Sequence, residues 1–370
     1  MRRLLLLAAL LLFLTPGASA EDEVERILGA VDLEPFEELV REEGAPFDLR
    51  KLLRDLATGE AELDLESVKA LATDALAAER TRLFSCFAAL ALPALLAAAA
   101  SCMRFHARGT DAARFVCRLA VASTGGGVLL ELCASARQLV ERAAAVGEAV
   151  APPLLTLLNA TGAQGTVLLL TPMSAFFTDV CLGLFRDLGI RLALAAAAVA
   201  IAGGLHARLK LRKLFLLICD ILNWGAGLVM TAFVGLLSVQ GALGRGYDSA
   251  SVRAAQYTVD NLLPVIGGEV ADTVGAMISS ALLVKNALGV AGMLLVLWTC
   301  AAPLLRMAAA LLSLRLAAAV MEPLGADGLA ALTGDLAKTA QTLLVIAAAS
   351  AVLVLLLLGA ALAAGQGLVR

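Results

Sequence analysis

Residues 342–364 read TLLVIAAASAVLVLLLLGAALAA, a run without a single charged side chain. A helix rises 1.5 Å per residue, so a run of this length covers the roughly 30 Å hydrocarbon core of a bilayer. The whole chain has the same character, because 60% of its 370 residues are hydrophobic and only 16% are charged. Soluble domains have about 25% charged residues. The composition excludes a soluble globule and predicts an all-α, multi-pass membrane protein.

Other apolar runs are also long enough to cross a bilayer. The predicted spans lie near residues 83–103, 115–135, 190–206, 214–238, 287–305 and 342–364. The charges between the spans indicate their direction, since short cytoplasmic loops are enriched in Lys and Arg. Arg104, Arg108 and Arg114 dominate one loop and a basic cluster at 208–213 dominates another, so we expect both loops in the cytoplasm. The loop 239–261 has balanced charges and suits the outer side.

The amino terminus has the pattern of a targeting signal. Arg2 and Arg3 precede an apolar run over residues 4–14, and the small-residue triplet Ala18-Ser19-Ala20 follows. Signal peptides have this order of a basic, an apolar and a small-residue part. We expect cleavage of residues 1–20 after Ala20, which leaves the mature N-terminus outside the cytoplasm.

Residues 21–82 form an acidic region with 18 acids and 8 bases, in a chain whose net charge is only −3. Part of it is predicted to be an amphipathic helix, because leucines recur at the i, i+3, i+4, i+7 spacing of one apolar face. These leucines are Leu49, Leu52, Leu53 and Leu56. Their face either rests on the membrane or on the protein's own bundle, or it docks an extracytoplasmic partner. We predict a small extracytoplasmic helical region at 21–82, followed by a membrane domain at 83–370.

A parity argument singles out residues 152–185. If the flanking spans run as stated, this segment begins and ends on the outer side, so it is not a single crossing. It combines Pro153 and Pro172 with a polar break that contains Gly162 and Gly165. Two half-length helices joined at a glycine break would form a re-entrant hairpin, whose free backbone groups are buried in protein or face a wet cavity. A kinked pair of short crossings is the alternative.

Residues 262–284 repeat this pattern with Pro264, Gly267 and Gly268, followed by an apolar half-helix. The two segments suggest an architecture of two repeats with a broken helix in each. Transporters place substrate or ion sites at paired broken helices near the middle of the membrane.

Ionisable residues inside apolar runs are costly and therefore mark candidate functional positions. Lys285 is the strongest example, and it lies in the stretch LVKNALGVAG over residues 283–292. The residues of interest in this stretch are Lys285, Asn286, Gly289 and Gly292. The ammonium group of Lys285 lines a polar cavity, pairs with Glu269 or Asp272, or snorkels to an interface.

The chain carries no motif typical of an enzyme or a cofactor site. It lacks a Walker loop, a G-x-G-x-x-G after a strand, and an HExxH helix. His106 and His206 stand apart, and the seven cysteines lie in apolar stretches without a CxxC pair, as small buried hydrophobes do. We therefore predict no enzyme activity, no cofactor and no metal. The charge distribution gives no indication of a nucleic-acid partner.

Several stretches together carry a family resemblance. They are APPLLTLLNATG at 151–162 with the later Pro172, LPVIGG at 263–268, and LVKNALGVAG at 283–292. The signal peptide, the LATGE turn at 56–60, and CAAP at 300–303 followed by MEP at 321–323 agree with them. On these residues the chain resembles the stage III sporulation protein AE family of endospore-forming bacteria, over nearly the whole mature chain.

The resemblance implies a multi-pass component of the mother-cell-derived membrane around the forespore. It would belong to a complex that connects the mother cell with the forespore and is needed for forespore development. The implied partners are other membrane proteins of the same sporulation operon, a forespore membrane protein across the intermembrane space, and the lipid bilayer. The family is not one of enzymes in that picture.

Two functional hypotheses follow. In the first, the protein is a structural and assembly component of the channel complex, with the acidic region as its outer contact. In the second, it is a permease-like transporter of a small solute, with Lys285 and the two broken helices forming the path.

Overall fold

The computed structural model describes residues 20–45, 47–58, 87, 88, 92, 107–205, 210–262 and 267–364, and all regular secondary structure within these ranges is helical. Three short helices come first: α1 Ala20–Ala30, α2 Glu34–Glu42 and α3 Leu49–Thr58. Longer helices follow: α4 Ala107–Ala160, α5 Gln164–Phe176, α6 Ile190–Leu205, α7 Arg212–Leu262, α8 Gly267–Met321 and α9 Asp327–Ala363. Two π-helical segments, Phe177–Leu182 and Leu184–Gly189, connect α5 to α6.

Five described stretches are long and apolar enough to cross a membrane, which confirms the prediction of an all-α, multi-pass membrane protein. They are Phe115–Ala160, Val180–Leu205, Arg212–Ala242, Ile278–Met321 and Asp327–Ala363. Each contains or overlaps one of the predicted spans. The remaining predicted span, 83–103, lies almost entirely outside the described residues, as do the signal peptide and most of the acidic region beyond Thr58.

The centre of the bundle is the packing of α4, α8 and α9 against one another, with α6 against both α4 and α9, and α7 against α9. Buried side chains run along all three central helices, including Leu139 and Val150 of α4, Leu295 of α8, and Leu343 and Val354 of α9. Lipid tails are as apolar as these side chains, so close packing and satisfied backbone groups hold such a core together. The three central helices therefore form the core of the bundle, and the other segments pack around them.

Glycines end three of the helices in the same way. Gly44, Gly162 and Gly325 have φ values of +60°, +82° and +73°, a left-handed conformation that side chains disfavour. After α4, the N–H of Ala163 donates to the Leu158 carbonyl at 3.2 Å and that of Gly162 donates to Asn159 at 3.1 Å. These two bonds form a Schellman motif, which satisfies free carbonyls at the helix end and reverses the chain.

The segment 152–185 forms a helical hairpin that turns at Thr161–Ala163, inside the predicted polar break. Pro152 and Pro153 do not begin a new helix, since α4 continues through both to Ala160. Pro172 likewise lies inside α5. The re-entrant path of this hairpin in a bilayer stays a prediction.

The second predicted broken segment differs more from the expectation. Residues 263–266, which include Pro264, lie outside the described residues, and Gly267 and Gly268 begin α8. From there α8 continues without interruption to Met321. The predicted half-helix and the predicted span 287–305 are therefore one helix, because a helix that is apolar on all sides gives no signal for a boundary at Val284.

The amino-terminal helices pack on the protein's own bundle. Helices α1 and α3 lie against α8, and α2 lies against α4. Leu49 and Leu53 are buried, and Leu52 and Leu56 are half-buried against the same core. Of the two alternatives for this leucine face, the packing fits an intramolecular role. A partner would reach these leucines only after they leave the bundle.

Polar contacts at Glu43 strengthen this packing. The Trp298 indole N–H donates to the Glu43 carbonyl at 3.3 Å, and the Glu43 carboxylate lies 3.2 Å from the Arg142 guanidinium. One residue of the turn after α2 thus contacts both α8 and α4.

We predict that Gly162→Ala destabilises the protein, because an L-residue at this φ costs about 1 to 2 kcal/mol. The control is Gly127→Ala in α4, where a new Cβ meets nothing within 4 Å. Alanine in a helix is favoured over glycine, so the control should leave stability unchanged or raise it. Thermal unfolding of both variants in detergent checks this, and equal shifts would contradict the role of the left-handed turn.

We predict that Leu53→Asp detaches the amino-terminal helices, since a buried leucine is replaced by a charge that the apolar core does not solvate. Limited proteolysis should then cut within residues 21–58 far faster than in the wild type. Lys51→Asp, on the exposed side of the same helix, serves as the control. Unchanged cleavage in Leu53→Asp would mean that α3 is not held by this face.

Candidate functional site

Lys285 is fully buried in α8, where it contacts the carboxyl end of α9. Its Nζ donates to the Leu362 carbonyl at 2.8 Å and also to the Ala364 carbonyl. The last carbonyls of a helix have no partner within the helix, and the helix dipole makes that end negative. Lys285 therefore acts as a cap on α9 that is supplied by the neighbouring helix.

Two glycines allow α8 to approach its neighbours at this level. A Cβ built on Gly289 would lie 2.6 Å from the side chain of Leu362, and one built on Gly292 would lie 3.0 Å from Val150. Positions 285, 289 and 292 share one face of α8, because residues three and four apart are neighbours on a helix. The motif of Lys285 and the glycines thus forms a junction of α4, α8 and α9.

The hairpin turn at Gly162 meets the same junction. Ala364, whose carbonyl accepts from Lys285, belongs to an apolar cluster with Leu158, Ala163 and Leu170. Leu158 and Ala163 are also the residues that close the Schellman motif. The predicted hairpin at 152–185 and the LVKNALGVAG stretch at 283–292 are thereby connected through the end of α9. We call this arrangement the Lys285 junction.

Asn286 brings an unusual polar atom to the Lys285 junction. Its Oδ1 is buried and accepts no hydrogen bond from any residue that the structure describes. An acceptor without a donor in an apolar surrounding costs about 1 to 3 kcal/mol. Such an atom is a candidate contact for a donor from another chain or from a solute.

A carbonyl cap was not among the three roles that the sequence indicated for Lys285. The side chain of Lys285 is fully buried. A snorkelling lysine instead places its ammonium group at an interface, so the burial of Lys285 does not fit that role. No ion pair of Lys285 with a described carboxylate is present. The predicted pairing with Glu269 or Asp272 involves side chains outside the described part of the structure. Sequence reasoning missed the cap because backbone carbonyls leave no signal in a sequence.

The other predicted positions are distributed along the hairpin. Pro153 is buried in α4, Gly165 lies in the first turn of α5, and Pro172 is exposed on α5. Near the basic cluster at 208–213, Asp220 pairs with Lys338 at 3.2 Å. Arg212 of that cluster lies 3.7 Å from Asp335.

Nothing in the described residues forms a group of three or more metal-binding side chains. Cys133, Cys181, Cys219 and Cys300 are buried in the apolar core, as small hydrophobes are. His106 and His206 lie outside the described residues.

Comparison with known proteins gives two matches and one absence. The family model for stage III sporulation protein AE matches residues 47–365. A curated relative, stage III sporulation protein AE from Bacillus subtilis (strain 168), is 28% identical over 177 residues. That alignment covers 48% of this chain and 44% of the relative, so the chain spans less than half the length of the relative that it matches. No solved structure matches.

The family match extends across every described helix from α3 to α9 and includes the whole Lys285 junction. It agrees with the resemblance carried by the sequence around Gly162 and Lys285. On this match the chain belongs to the stage III sporulation protein AE family.

Proposed function

We propose that this protein is a structural and assembly component of the membrane complex that connects mother cell and forespore. The observation that carries the proposal is the use of Lys285. A charged side chain inside an apolar helix is costly, and here both bonds of its ammonium group go to the end of another helix. The charge serves to hold helices in place.

The packing around Lys285 supports a rigid scaffold. Leu362 fills the space beside Gly289, and Val150 and Leu358 fill the space beside Gly292. A solute path past Lys285 would need a wet cavity at its Nζ, whereas the side chain is 0% exposed. The space around Lys285, Gly289 and Gly292 is therefore filled by the protein's own side chains.

We place the protein in the mother-cell-derived membrane, with the region 21–82 outside the cytoplasm after signal cleavage. Its partners in this proposal are membrane proteins of the same sporulation operon, together with a forespore membrane protein across the intermembrane space. The acidic residues of α1 and α2 that do not face the bundle would form the outer contact. The protein has no enzymatic role in the complex.

A permease-like function is the second candidate, and one observation favours it. The Oδ1 of Asn286, one position along α8 from Lys285, is buried and has no donor among the described residues. A transported solute or ion would provide the missing contact if the Lys285 junction opened. The helix end at Ala364 would then act as a gate.

The test separates assembly from transport with Lys285→Met, which keeps the apolar length of the side chain and removes the cap. We expect the variant to lower both the amount of complex that co-purifies and the yield of spores. The loss of a charge-assisted bond to the helix end should lower its stability by about 1.5 to 3 kcal/mol. The measurement is co-purification and spore counts in a sporulating host whose own copy is deleted.

Asn286→Leu is the matched comparison, because it removes the unpaired acceptor and leaves the cap intact. The structural proposal expects normal assembly and normal spore yield for this variant. Normal assembly with blocked forespore development, in either variant, would instead support the permease.

A further inference from the structure

A basic pocket lies at the end of the bundle remote from the Lys285 junction. It has a volume of about 250 Å³ and is formed where α4, α6 and α9 meet the start of α7. Its charged lining residues are Arg118, Lys210, Arg212 and Asp335. Three cations and one carboxylate leave the pocket with an excess of positive charge.

The single carboxylate does not balance the three cations. The Asp335 carboxylate lies 3.7 Å from the Arg212 Nε and balances the charge of that one cation. The side chains of Arg118 and Lys210 make no ion pair or hydrogen bond with any residue of the described ranges. Cations that face a shared cavity repel one another, so an anion in that cavity would stabilise them.

The absence of a side chain at Gly328 leaves room for Arg118 at the pocket. A Cβ on Gly328, in the first turn of α9, would lie 2.8 Å from Arg118 Nη2, so glycine leaves the room that the guanidinium occupies. Arg118 is half-buried, and the apolar side chains of Phe215 and Leu332 form the pocket wall. Water screens such a half-buried arginine less than a fully exposed one, which strengthens its attraction to an anion.

Apolar side chains continue from the pocket along the outside of the bundle. Phe115, three residues before Arg118, and Leu119, directly after it, are 49% and 50% exposed. Leu214 and Leu217, close to Arg212, are 47% and 55% exposed. A basic pocket beside an exposed apolar surface matches a ligand with a negative head and an acyl tail.

We propose that Arg118, Lys210 and Arg212 bind the phosphate of an anionic phospholipid headgroup, with the acyl chains along the exposed faces of α4 and α7. Arginine suits this role because its planar guanidinium bonds two phosphate oxygens at once. The volume of the pocket accommodates a phosphate with part of its glycerol. The neighbouring cavity of about 600 Å³ is lined by Glu322, Asp327 and Asp335 against Arg212 and Lys338, and this acidic excess disfavours the same ligand.

The test uses the full-length protein, purified in detergent and stripped of lipid. Dioleoyl phosphatidylglycerol is titrated in and bound lipid is counted by native mass spectrometry, with dioleoyl phosphatidylcholine as the neutral-headgroup comparison. We expect saturable binding of phosphatidylglycerol and weaker binding of phosphatidylcholine. The double variant Arg118→Gln with Arg212→Gln should bind phosphatidylglycerol about tenfold more weakly, because charge-assisted bonds to phosphate are lost.

Two further variants distinguish lipid binding in the pocket from attraction of the lipid to surface charge in general. Gly328→Ala keeps every charge and displaces only the flexible end of Arg118, so it should weaken lipid binding while the unfolding temperature stays near that of the wild type. Lys213→Gln removes an exposed cation that does not line the pocket and should bind like the wild type.

Three outcomes of the lipid titrations would overturn the proposal. They are equal binding of both lipids, an equal loss in Lys213→Gln and in the double variant, and unchanged binding in both the double variant and Gly328→Ala. Inorganic phosphate is the competitor that distinguishes the source of the anion. Displacement of the lipid by millimolar phosphate would assign the pocket to the free ion and overturn the lipid assignment. The result is independent of complex assembly, since it is measured on the isolated protein.

Discussion

Backbone carbonyls at a helix end need hydrogen-bond donors, and in an apolar surrounding water does not supply them. The bundle depends on how the carboxyl end of α9 meets this requirement. Lys285 donates to the carbonyls of Leu362 and Ala364, and the absence of side chains at Gly289 and Gly292 lets α8 lie close to α9 and α4. A charged residue that looks like a transport element in the sequence is therefore a helix cap in the structure. This is why we favour an architectural role over a path for solutes.

The sequence was sufficient for the fold class because an uncharged run such as 342–364 has few alternatives to a membrane helix. It was also sufficient for the turn at Gly162, since polar residues and glycine interrupt an apolar stretch there. Helix ends were harder to predict. Pro152 and Pro153 suggested a new helix, yet α4 continues through them. The boundary expected near Val284 is absent because α8 has no amphipathic pattern that could mark one.

The candidate site was predictable in part. Lys285, Gly289 and Gly292 were found because a charge and small residues stand out in an apolar helix, and the spacing places them on one face. Their partners were not predictable, since Leu362 and Val150 resemble dozens of other aliphatic residues in the chain. The basic pocket was missed for another reason: Arg118 and Arg212 are far apart in sequence, and only the packing of α4 beside α7 brings them together.

The hairpin of α8 and α9 is fastened at both of its ends. Gly325 fixes the tight turn between the helices, and Lys285 ties the far end of α9 back to α8. A piston-like slide by one helical turn, about 5.4 Å, would pull the lysine away from its carbonyls. The two helices must therefore move together as one rigid unit. Any mechanical rearrangement of the bundle is then left to the segments outside the pair, among which the widened π-helical turns between α5 and α6 are the least regular.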